Sequence, residues 1–312
     1  MVGGGGIRPQ AVYAGRKRLN EEGPGYRVFT VFNYLLLLTI ILLTVYPVYY
    51  VFIASFSNAR ELQANYGILW FPKFPLTTFA YKLVLNHPLV LTGYRNTLII
   101  LILGLAVNLI MTSLGAYFLT LRDSIYKRPI SLLILFTMYF SGGLVPAYLN
   151  IKNLGMLDSL SALIIPGAIS TYNMLIMRSA FASIPSSLSE AAELDGASHF
   201  QILTRVFIPL SGATMAVMVL YYGVGHWNAW FNASIYIQTA NKFPLQLVLR
   251  QILLLNISQA ELVASSDVGE AILYADLIKY ALIVVSTLPM LVLYPFLQQF
   301  FVKGVMVGAL KG

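Results

Sequence analysis

The sequence predicts an all-α, polytopic membrane protein with six transmembrane helices, and three observations support this prediction. Hydrophobic residues make up 58% of the 312 residues and charged residues only 10%, whereas roughly a quarter of an average soluble domain is charged. The apolar runs are long enough for helices that cross ~30 Å of hydrocarbon. Strand-sized alternation is absent from the sequence, so helices rather than a barrel would satisfy the backbone in lipid.

Six apolar runs are separated by polar or basic connectors. The predicted spans are residues 28–56, 96–120, 130–149, 160–181, 209–232 and 277–301. Pro47 lies in the first span and Pro166 in the fourth, and we expect Gly143 and Pro146 to weaken or break the outer half of the third. The segment before the second span is predicted to be an interfacial connector, and residues 233–276 are predicted to form an amphiphilic loop.

The net charge of +8 is explained by membrane topology rather than by a nucleic-acid partner. The basic residues lie mostly on connectors beside apolar runs, and the two densest clusters are the tail of residues 1–27 and the connector after the second span. Six spans place both clusters on one side, which the positive-inside rule makes the cytoplasm. Both termini are therefore predicted to be cytoplasmic, with residues 28–312 forming the transmembrane domain.

The predicted spans are nearly free of ionisable side chains. In the interior of the spans the exceptions are Arg178, near one end of the fourth, and His226, towards the outer end of the fifth, and Lys279 lies at the very start of the sixth. Ion-coupled carriers need such groups to hold and release charge in the membrane, so a self-powered carrier is not expected. The sequence has no phosphate-binding G-x-x-x-x-G-K-[ST] motif, no cysteine and no metal-ligand spacing around His226. Energy for active transport would have to come from another polypeptide.

A polar break between the fourth and fifth spans carries the sequence Glu-Ala-Ala-Glu-Leu-Asp-Gly at residues 190–196. Ser187 and Glu190 have the spacing of a helix capping box, and Gly196 is a natural C-terminal stop. A second short helix is predicted from about Ser198 until Pro209. One face of the first helix would carry the residues at helical spacing. These are Leu188, Ala191, Ala192 and Asp195.

This break resembles the EAA loop of ABC-importer permeases, in which E-A-A is followed by three residues, Gly, nine residues and I-x-L-P. Val206 and Ile208 replace the Ile and Leu of that pattern, and the loop would cover residues 184–209. The resemblance implies a coupling helix that docks on a nucleotide-binding subunit. Its residues would be Glu190, Ala191, Ala192, Asp195 and Gly196. An amphipathic hairpin that merely joins two spans is the alternative.

The resemblance extends along the chain through the Trp-Asn end of the fifth span and the F-P-L-Q-L stretch that begins at Phe243. It is to the second permease of maltose-type carbohydrate ABC importers, and most closely to the subgroup for aldouronate and other complex oligosaccharides. It implies a bacterial plasma (inner) membrane subunit that is not an enzyme. Its partners would be a homologous permease, an extracellular or periplasmic solute-binding protein, and two ATPase subunits that hold ATP and Mg²⁺ and drive alternating access.

Polar and aromatic side chains at mid-depth or at the outer ends of spans three to five are candidates for a carbohydrate translocation path. Because Trp227 and Trp230, like Asn228 and Asn232, have helical spacing, they could share a helical surface on which indoles stack against sugar rings. Helix packing or an interfacial aromatic belt would explain the same residues. The candidates are Tyr139, Tyr172, Asn173, Tyr221, Tyr222, Trp227, Asn228 and Trp230.

Three other functions remain as alternatives. A rhomboid-like intramembrane protease also has six spans, but the nearest approach to its G-x-S-G motif, around Ser211, lacks the first glycine. A passive channel or scaffold subunit would leave the EAA spacing unexplained. A permease of a non-carbohydrate ABC importer would share the spans and the loop, and the sequence does not say which sugar is moved.

Overall fold

The computed structural model describes residues 23–64, 67–121, 125–262 and 268–309. Every regular element in these ranges is helical, which confirms the all-α fold class. A π-helical turn at Leu203–Phe207 and a 3-10 turn at Ala240–Lys242 accompany the α-helices. The α-helices are α1 (Pro24–Ser55), α2 (Ala59–Ala64), α3 (Phe79–Leu85), α4 (Pro88–Thr120), α5 (Lys127–Tyr139), α6 (Leu144–Asn153), α7 (Ser161–Ile164), α8 (Thr171–Ala182), α9 (Ser186–Leu194), α10 (His199–Ile202), α11 (Ile208–Leu210), α12 (Gly212–Trp227), α13 (Trp230–Tyr236), α14 (Leu245–Leu262) and α15 (Val268–Ala309).

The chain divides into two units, residues 1–50 and residues 51–312. The described part of the first unit is α1 as far as Tyr50, and most of its apolar side chains are exposed on all sides of the helix. A helix that is apolar all round suits lipid rather than water. The first predicted span is confirmed to within a few residues. The predicted basic tail lies, up to residue 22, outside the described residues.

In the second unit α4 packs against α8, α12 and α14. Its buried positions recur at every fourth residue and are mostly small or polar, which lets neighbouring backbones approach closely. Because 3.6 residues make a turn, this row winds about 200° around α4 and meets different helices along its length. The row consists of Asn96, Ile100, Gly104, Asn108, Thr112 and Ala116.

The second predicted span begins too late in the sequence analysis. α4 starts at Pro88, which occupies a helix-initiating position after the extended residue His87. Proline favours this position because its missing N–H would have no helical partner there. The ring Nδ1 of His87 accepts a hydrogen bond from the Leu89 N–H at 3.3 Å. The first turns of α4 contain polar side chains, which lower the mean hydropathy of this stretch and made the predicted span begin at residue 96.

The third and fourth predicted spans are not continuous helices. α5 ends at Tyr139 and α6 turns through 117° relative to it, so the expected break in the third span is confirmed. Gly143 at the break has φ +88°, a conformation that disfavours residues with a side chain. The fourth span is divided into α7 and α8 around Pro166 and Gly167, where proline cannot continue a helix.

The fifth span and the following loop also differ from the predictions. α12 starts only at Gly212, after an 86° bend from the α10–α11 helix, and ends at Trp227. The loop predicted over residues 233–276 contains α14, whose residues Leu245, Leu247 and Val248 are buried. Its apolar part, Leu245–Leu254, is too short for a span, and its buried face packs on α4 and α15.

By length and composition, three helical stretches within the described residues are able to cross a membrane: α1, α4 and residues 276–295 of α15. The number rises to five if each strongly bent helix pair counts as one span. The sequence-based count of six spans therefore remains a prediction. The multi-pass, helical character of the protein does not depend on that count.

Candidate functional site

The segment of residues 186–210, from α9 to α11, contains the EAA sequence. Its first helix begins at Ser186, directly after the extended residue Pro185, and no side chain caps it. The predicted capping box of Ser187 and Glu190 is therefore wrong. Because the helix starts two residues earlier than a Ser187 N-cap requires, Ser187 lies inside its first turn.

The bend after α9 is built around Gly196. Its φ of +80° is the left-handed conformation that glycine adopts without steric cost. The Ala197 N–H donates to the Ala192 carbonyl at 2.9 Å and the Gly196 N–H to the Glu193 carbonyl at 3.0 Å. This pair of hydrogen bonds is a Schellman motif. The prediction that Gly196 ends the helix is confirmed.

The second helix of the segment has the capping box that the first one lacks. The Ser198 N–H donates to Gln201 Oε1 at 2.8 Å, and the Gln201 N–H donates to Ser198 Oγ. The sequence Ser-His-Phe-Gln carries the signal for this capping box. α10 leads into the π-helical turn and then into Pro209, as the predicted second helix required.

An apolar cluster lies under the segment and joins it to α4, α8 and α12. Phe181 is fully buried and its ring meets that of Phe207 edge to face, with centroids 5.3 Å apart. Tyr117 of α4 meets the same Phe207 ring at 5.1 Å and makes a 3.2 Å hydrogen bond with His199. Close-packed interiors transmit displacement because they have little free volume. A displacement of the segment would therefore be passed to α4 and α8.

The outer surface of the segment is only partly polar. Glu190, Ala191 and Asp195 are exposed, and Leu194 is 90% exposed beside them. The two alanines divide their roles: Ala191 faces outward, whereas Ala192 is half-buried and packs on the apolar cluster. An exposed carboxylate, a small side chain and a large apolar side chain on one short helix suit a protein partner.

A polar network crosses the interior of the helices at Asn108, which is fully buried on α4. Its Nδ2 donates to the carbonyls of Gly167 and Ala168 at 2.6 and 3.1 Å, and its Oδ1 lies 2.7 Å from His226 Nε2. The break between α7 and α8 frees these carbonyls from helical hydrogen bonds, and buried polar groups must find other partners. Sequence reasoning missed Asn108 because its partners, the Gly167 and Ala168 carbonyls, are about 60 residues away along the chain.

A second interior contact stabilises the same break from the other side. The Tyr222 hydroxyl lies 2.7 Å from Thr112 Oγ1 and accepts a hydrogen bond from the Ser170 N–H at 3.0 Å. Ser170 is the N-cap of α8, where its side chain accepts from the Asn173 N–H. Tyr222 thus binds α12 to both α4 and the start of α8.

The structure does not bring all the predicted path residues together. Tyr222, Asn173 and Trp227 are buried, whereas Tyr139, Tyr172, Tyr221 and Asn228 are exposed and Trp230 is half-buried. Trp227 and Asn228 line one cavity of about 520 Å³, together with residues of α4 and α15.

The helical surface predicted for the end of the fifth span is wrong. α12 ends at Trp227 and α13 begins at Trp230, so the two indoles do not follow one helix. The Trp227 N–H donates to the Ser286 carbonyl of α15 at 3.0 Å. The Arg250 guanidinium lies 4.0 Å from the Trp230 ring centroid. Both indoles therefore contact other parts of the protein, and the contact between Trp230 and Arg250 is a cation–π interaction.

Near the N-terminal end of α4, Asp158 joins the loop after α6 to the loop before α14. Its carboxylate accepts hydrogen bonds from the Gln238 N–H, from the Thr239 N–H and hydroxyl, and from Lys242 Nζ at 2.8 Å. The Lys242 ammonium and these neighbouring donors hold the pKa of the Asp158 carboxyl well below its usual range. We call this set of contacts the Asp158 latch.

The protease alternative finds no dyad around Ser211. The Ser211 hydroxyl is buried and has no hydrogen-bond partner among the described residues. A serine nucleophile needs a base within hydrogen-bond reach, and the imidazoles of His199 and His226 bond to Tyr117 and Asn108 instead. In the described ranges no group of three or more His, Cys, Asp or Glu residues could hold a metal ion.

Comparison with solved structures supports an importer architecture. One chain of a crystal structure of a bacterial ABC transporter involved in the import of the acidic polysaccharide alginate superposes with a TM-score of 0.80. It is 31% identical in sequence, and the match covers 90% of this chain and 99% of that one. A second alginate transporter structure, in complex with a pentasaccharide-bound periplasmic protein, has a TM-score of 0.55 at 16% identity and supports the fold alone.

Comparison of sequences identifies the family. The polygalacturonan/rhamnogalacturonan transport system permease protein YtcP of Bacillus subtilis (strain 168) is 37% identical over 290 residues, which cover 92% of this chain and 99% of YtcP. Protein LplC of the same organism is 39% identical over 286 residues, which cover 92% of this chain and 96% of LplC. The model of a family described as binding-protein-dependent transport system inner membrane component matches residues 129–307. The chain belongs to this family of inner membrane transport components.

Proposed function

We propose that this chain is the transmembrane permease subunit of a binding-protein-dependent ABC importer that moves an oligosaccharide into the cytoplasm. The observation that carries the proposal is the 186–210 segment: it is exposed on its outer side and tightly packed on its inner side against α4, α8 and α12. Such a segment suits a partner that moves it as a rigid body. ATP and Mg²⁺ would be held by separate ATPase subunits.

The names of the relatives favour an oligosaccharide that carries carboxylates. YtcP is named for polygalacturonan and rhamnogalacturonan, and the solved relative imports the acidic polysaccharide alginate. Galacturonan is by its chemistry a polymer of a uronic acid, with a carboxylate on each sugar unit. Other relatives are named for arabinooligosaccharides and maltodextrin at lower identity. We therefore assign a uronate-bearing oligosaccharide as the cargo.

In the proposed mechanism, closure of the ATPase subunits displaces the coupling helix and the packed helices follow. Glu190, Ala191 and Asp195 would meet the ATPase surface, Ala192 would fix α9 to the apolar cluster, and Gly196 would hold the bend. The segment is assigned to the cytoplasmic side, as the distribution of basic residues favours. A homologous permease would complete the path, and a solute-binding protein would deliver the sugar.

The path itself would lie beside the polar aromatic residues of the interior. Tyr222, Trp227 and Asn228 are the strongest candidates because Tyr222 belongs to the interior network and the other two line the 520 Å³ cavity. Tyr139, Tyr172, Asn173, Tyr221 and Trp230 are also assigned to the path, although they do not line that cavity.

Site-specific cross-linking tests the coupling assignment, and the absence of cysteine makes single-cysteine variants clean. In the complete importer, Leu194→Cys should cross-link to the ATPase subunit through a short thiol–amine reagent, with a yield that changes when ATP is added. Leu91→Cys is the matched control. Leu91 is also a largely exposed leucine, but it lies at the N-terminal end of α4, far from the end that packs under the 186–210 segment. It should give no ATPase adduct.

Transport provides the second readout. Gly196→Pro should abolish ATP-driven uptake while the solute-binding protein keeps its affinity for sugar. Equal ATPase adducts from the two cysteine positions, or normal uptake by Gly196→Pro, would contradict the coupling assignment.

A further inference from the structure

We propose that the cavity beside Arg95 binds a carboxylate of the oligosaccharide as it enters the permease, an inference that rests on the function proposed above. The cavity has a volume of about 670 Å³, within the range of about 300–1,000 Å³ typical of small-molecule sites. The residues that carry the inference are Thr92, Arg95, Asn96, Asp158, Asn241 and Lys242.

Arg95 is the cation of this cavity that is free to meet a ligand. Its side chain is exposed, and within the described parts of the chain no acceptor lies at hydrogen-bond or ion-pair distance from its guanidinium. A guanidinium presents paired N–H donors whose geometry matches a carboxylate, and such bidentate pairs are among the stronger hydrogen bonds.

The Asp158 carboxylate does not neutralise Arg95, because its hydrogen-bonding positions are already used. Oδ1 accepts from the Gln238 and Thr239 N–H groups, and Oδ2 accepts from the Thr239 hydroxyl and Lys242 Nζ. Lys242 and Asp158 cancel each other's charge. The positive charge of Arg95 is left over, and it gives this cavity an attraction for an anion.

The remaining wall suits sugar hydroxyls. Asn96 donates through Nδ2 to the carbonyls of Asn241 and Phe243 at 2.8 and 3.1 Å, which fixes its amide and leaves Oδ1 as an acceptor. Thr92 supplies a hydroxyl one turn earlier on α4. A cation beside an oriented amide and a hydroxyl can hold the carboxylate and a neighbouring hydroxyl of one sugar unit.

The cavity also lies where arriving cargo would be met. Arg95 and Tyr117 are on the same helix, and at 1.5 Å rise per residue they are about 33 Å apart along its axis. Tyr117 contacts the 186–210 segment, so the cavity is at the opposite end of α4. With that segment assigned to the cytoplasm, Arg95 is on the outer side of the membrane.

The second large cavity provides a contrast. It is lined by apolar residues together with Asn228, Gln246 and a few hydroxyl groups, and no Lys, Arg or His lines it. Its amides and hydroxyls can form hydrogen bonds, but it has no cation with which to select a charged carboxylate over a neutral group. Charge recognition is therefore assigned to the Arg95 cavity.

The test uses the complete importer in proteoliposomes with its solute-binding protein. Initial uptake rates are measured for trigalacturonate and for its fully methyl-esterified form, which has the same sugar chain without charge. Arg95→Gln should lower trigalacturonate uptake about tenfold relative to wild type, as the loss of one charge-assisted hydrogen-bonded pair implies, and should lower ester uptake by less than about twofold. Arg95→Lys should give an intermediate rate, because lysine keeps the positive charge but lacks the paired N–H donors of the guanidinium.

Lys152→Gln is the matched control. Lys152 is an exposed cation at the end of α6 that does not line the cavity, and its loss should leave both uptake rates near those of wild type. If Lys152→Gln lowers trigalacturonate uptake as much as Arg95→Gln does, the effect is one of general surface charge. If Arg95→Gln lowers the uptake rates of both probes equally, the role of Arg95 is structural. Either result, or unchanged trigalacturonate uptake by Arg95→Gln, overturns the inference about Arg95 and leaves the proposed function intact. Uptake of neither probe by the wild-type importer overturns the proposed cargo, and the inference falls with it.

Discussion

The two ends of α4 are held by opposite kinds of contact. Towards its C-terminus, Ala116 and Leu119 are buried in the apolar cluster with Phe181 and Phe207, under the 186–210 segment. Towards its N-terminus, Asn96 and Thr97 make the contacts, through hydrogen bonds to the carbonyls of the 3-10 turn and to the Leu245 N–H. The first, packed end is held mainly by apolar contacts, whereas the second, polar end adds these hydrogen bonds to its packing on Leu245 and Val248 and borders the cavity beside Arg95.

The difference matches what each end has to do in an importer. Apolar packing has no alternative partner in water, so it keeps two helices together while both move. Hydrogen bonds at a cavity can be exchanged for water or for the hydroxyls of a ligand at small net cost. The packed end is suited to transmit motion, and the polar end to accept and release a sugar.

The largest effect is expected at the packed end. Phe181→Ala removes a fully buried ring and should lower the free energy of unfolding of the importer subunit by about 3 kcal/mol. ATP-driven uptake should also fall, because the 186–210 segment loses the ring on which it packs. Thermal unfolding and uptake by the purified importer measure both. Phe71→Ala, at an exposed phenylalanine, is the control, and equal losses for the two variants would refute the role of the cluster.

A smaller effect is expected midway along α4, where Gly104 lets the His226 ring approach. A Cβ at this position would lie 2.5 Å from His226 Nε2, so Gly104→Ala should push the imidazole away from Asn108. Overpacking of this kind costs about 1–3 kcal/mol, and the loss appears as a lower unfolding midpoint.

Gly225→Ala separates this clash from the general effect of alanine in a helix. Gly225 is also helical, but a Cβ there would meet no atom within 4 Å. Alanine is the better helix former, so this variant should be neutral or slightly stabilising. Destabilisation by both variants, or by neither, would count against the network at Asn108.

At the bend of the segment the expected effect is smaller again. Gly196→Ala meets no steric contact within 4 Å, but its φ of +80° is unfavourable for alanine by roughly 1–2 kcal/mol. The uptake rate should fall by a larger factor than the small loss of folded protein explains, because α9 would shift relative to the ATPase. Gly212→Ala, at a glycine without a positive φ, should change neither quantity. Equal uptake by the two variants would show that the bend does not position α9.

The features that sequence predicted best are those set by local chemistry. Gly196 ends α9 because only glycine adopts its conformation without cost, and the third span is broken near Gly143 and Pro146, as their effect on a helix predicted. The first span followed from length and hydropathy alone. The position of Glu190 and Ala191 on an exposed short helix likewise required only the spacing of the motif.

The features that sequence missed depend on partners far along the chain. Asn108 shows no periodic or charge signal of its own, and its importance comes from two carbonyls that a break in another helix leaves free. α14 was assigned to a loop because its helix is stabilised by burial of Leu245 and Val248 against α4 rather than by hydropathy. The free charge of Arg95 likewise depends on how Lys242 and Asp158 are paired.

The smallest effect is expected at the Asp158 latch, which lies at the polar end of α4. Lys242 and its neighbouring donors depress the pKa of Asp158, so the latch contributes stability above the usual carboxyl pKa of 3.8 and loses it as pH falls below that value. Asp158→Asn should lower the unfolding midpoint slightly at neutral pH and remove this part of the acid dependence. Because Lys242 is exposed and Asp158 is partly exposed, added salt should shrink the difference in stability between wild type and variant. The Asp158→Asn, Lys242→Gln double variant should lose less stability than the sum of the two single losses, because the contact between the two side chains is counted in both. Full additivity of the two losses would show that the carboxylate and the ammonium act separately, and the polar end of α4 would then not be held by their pairing.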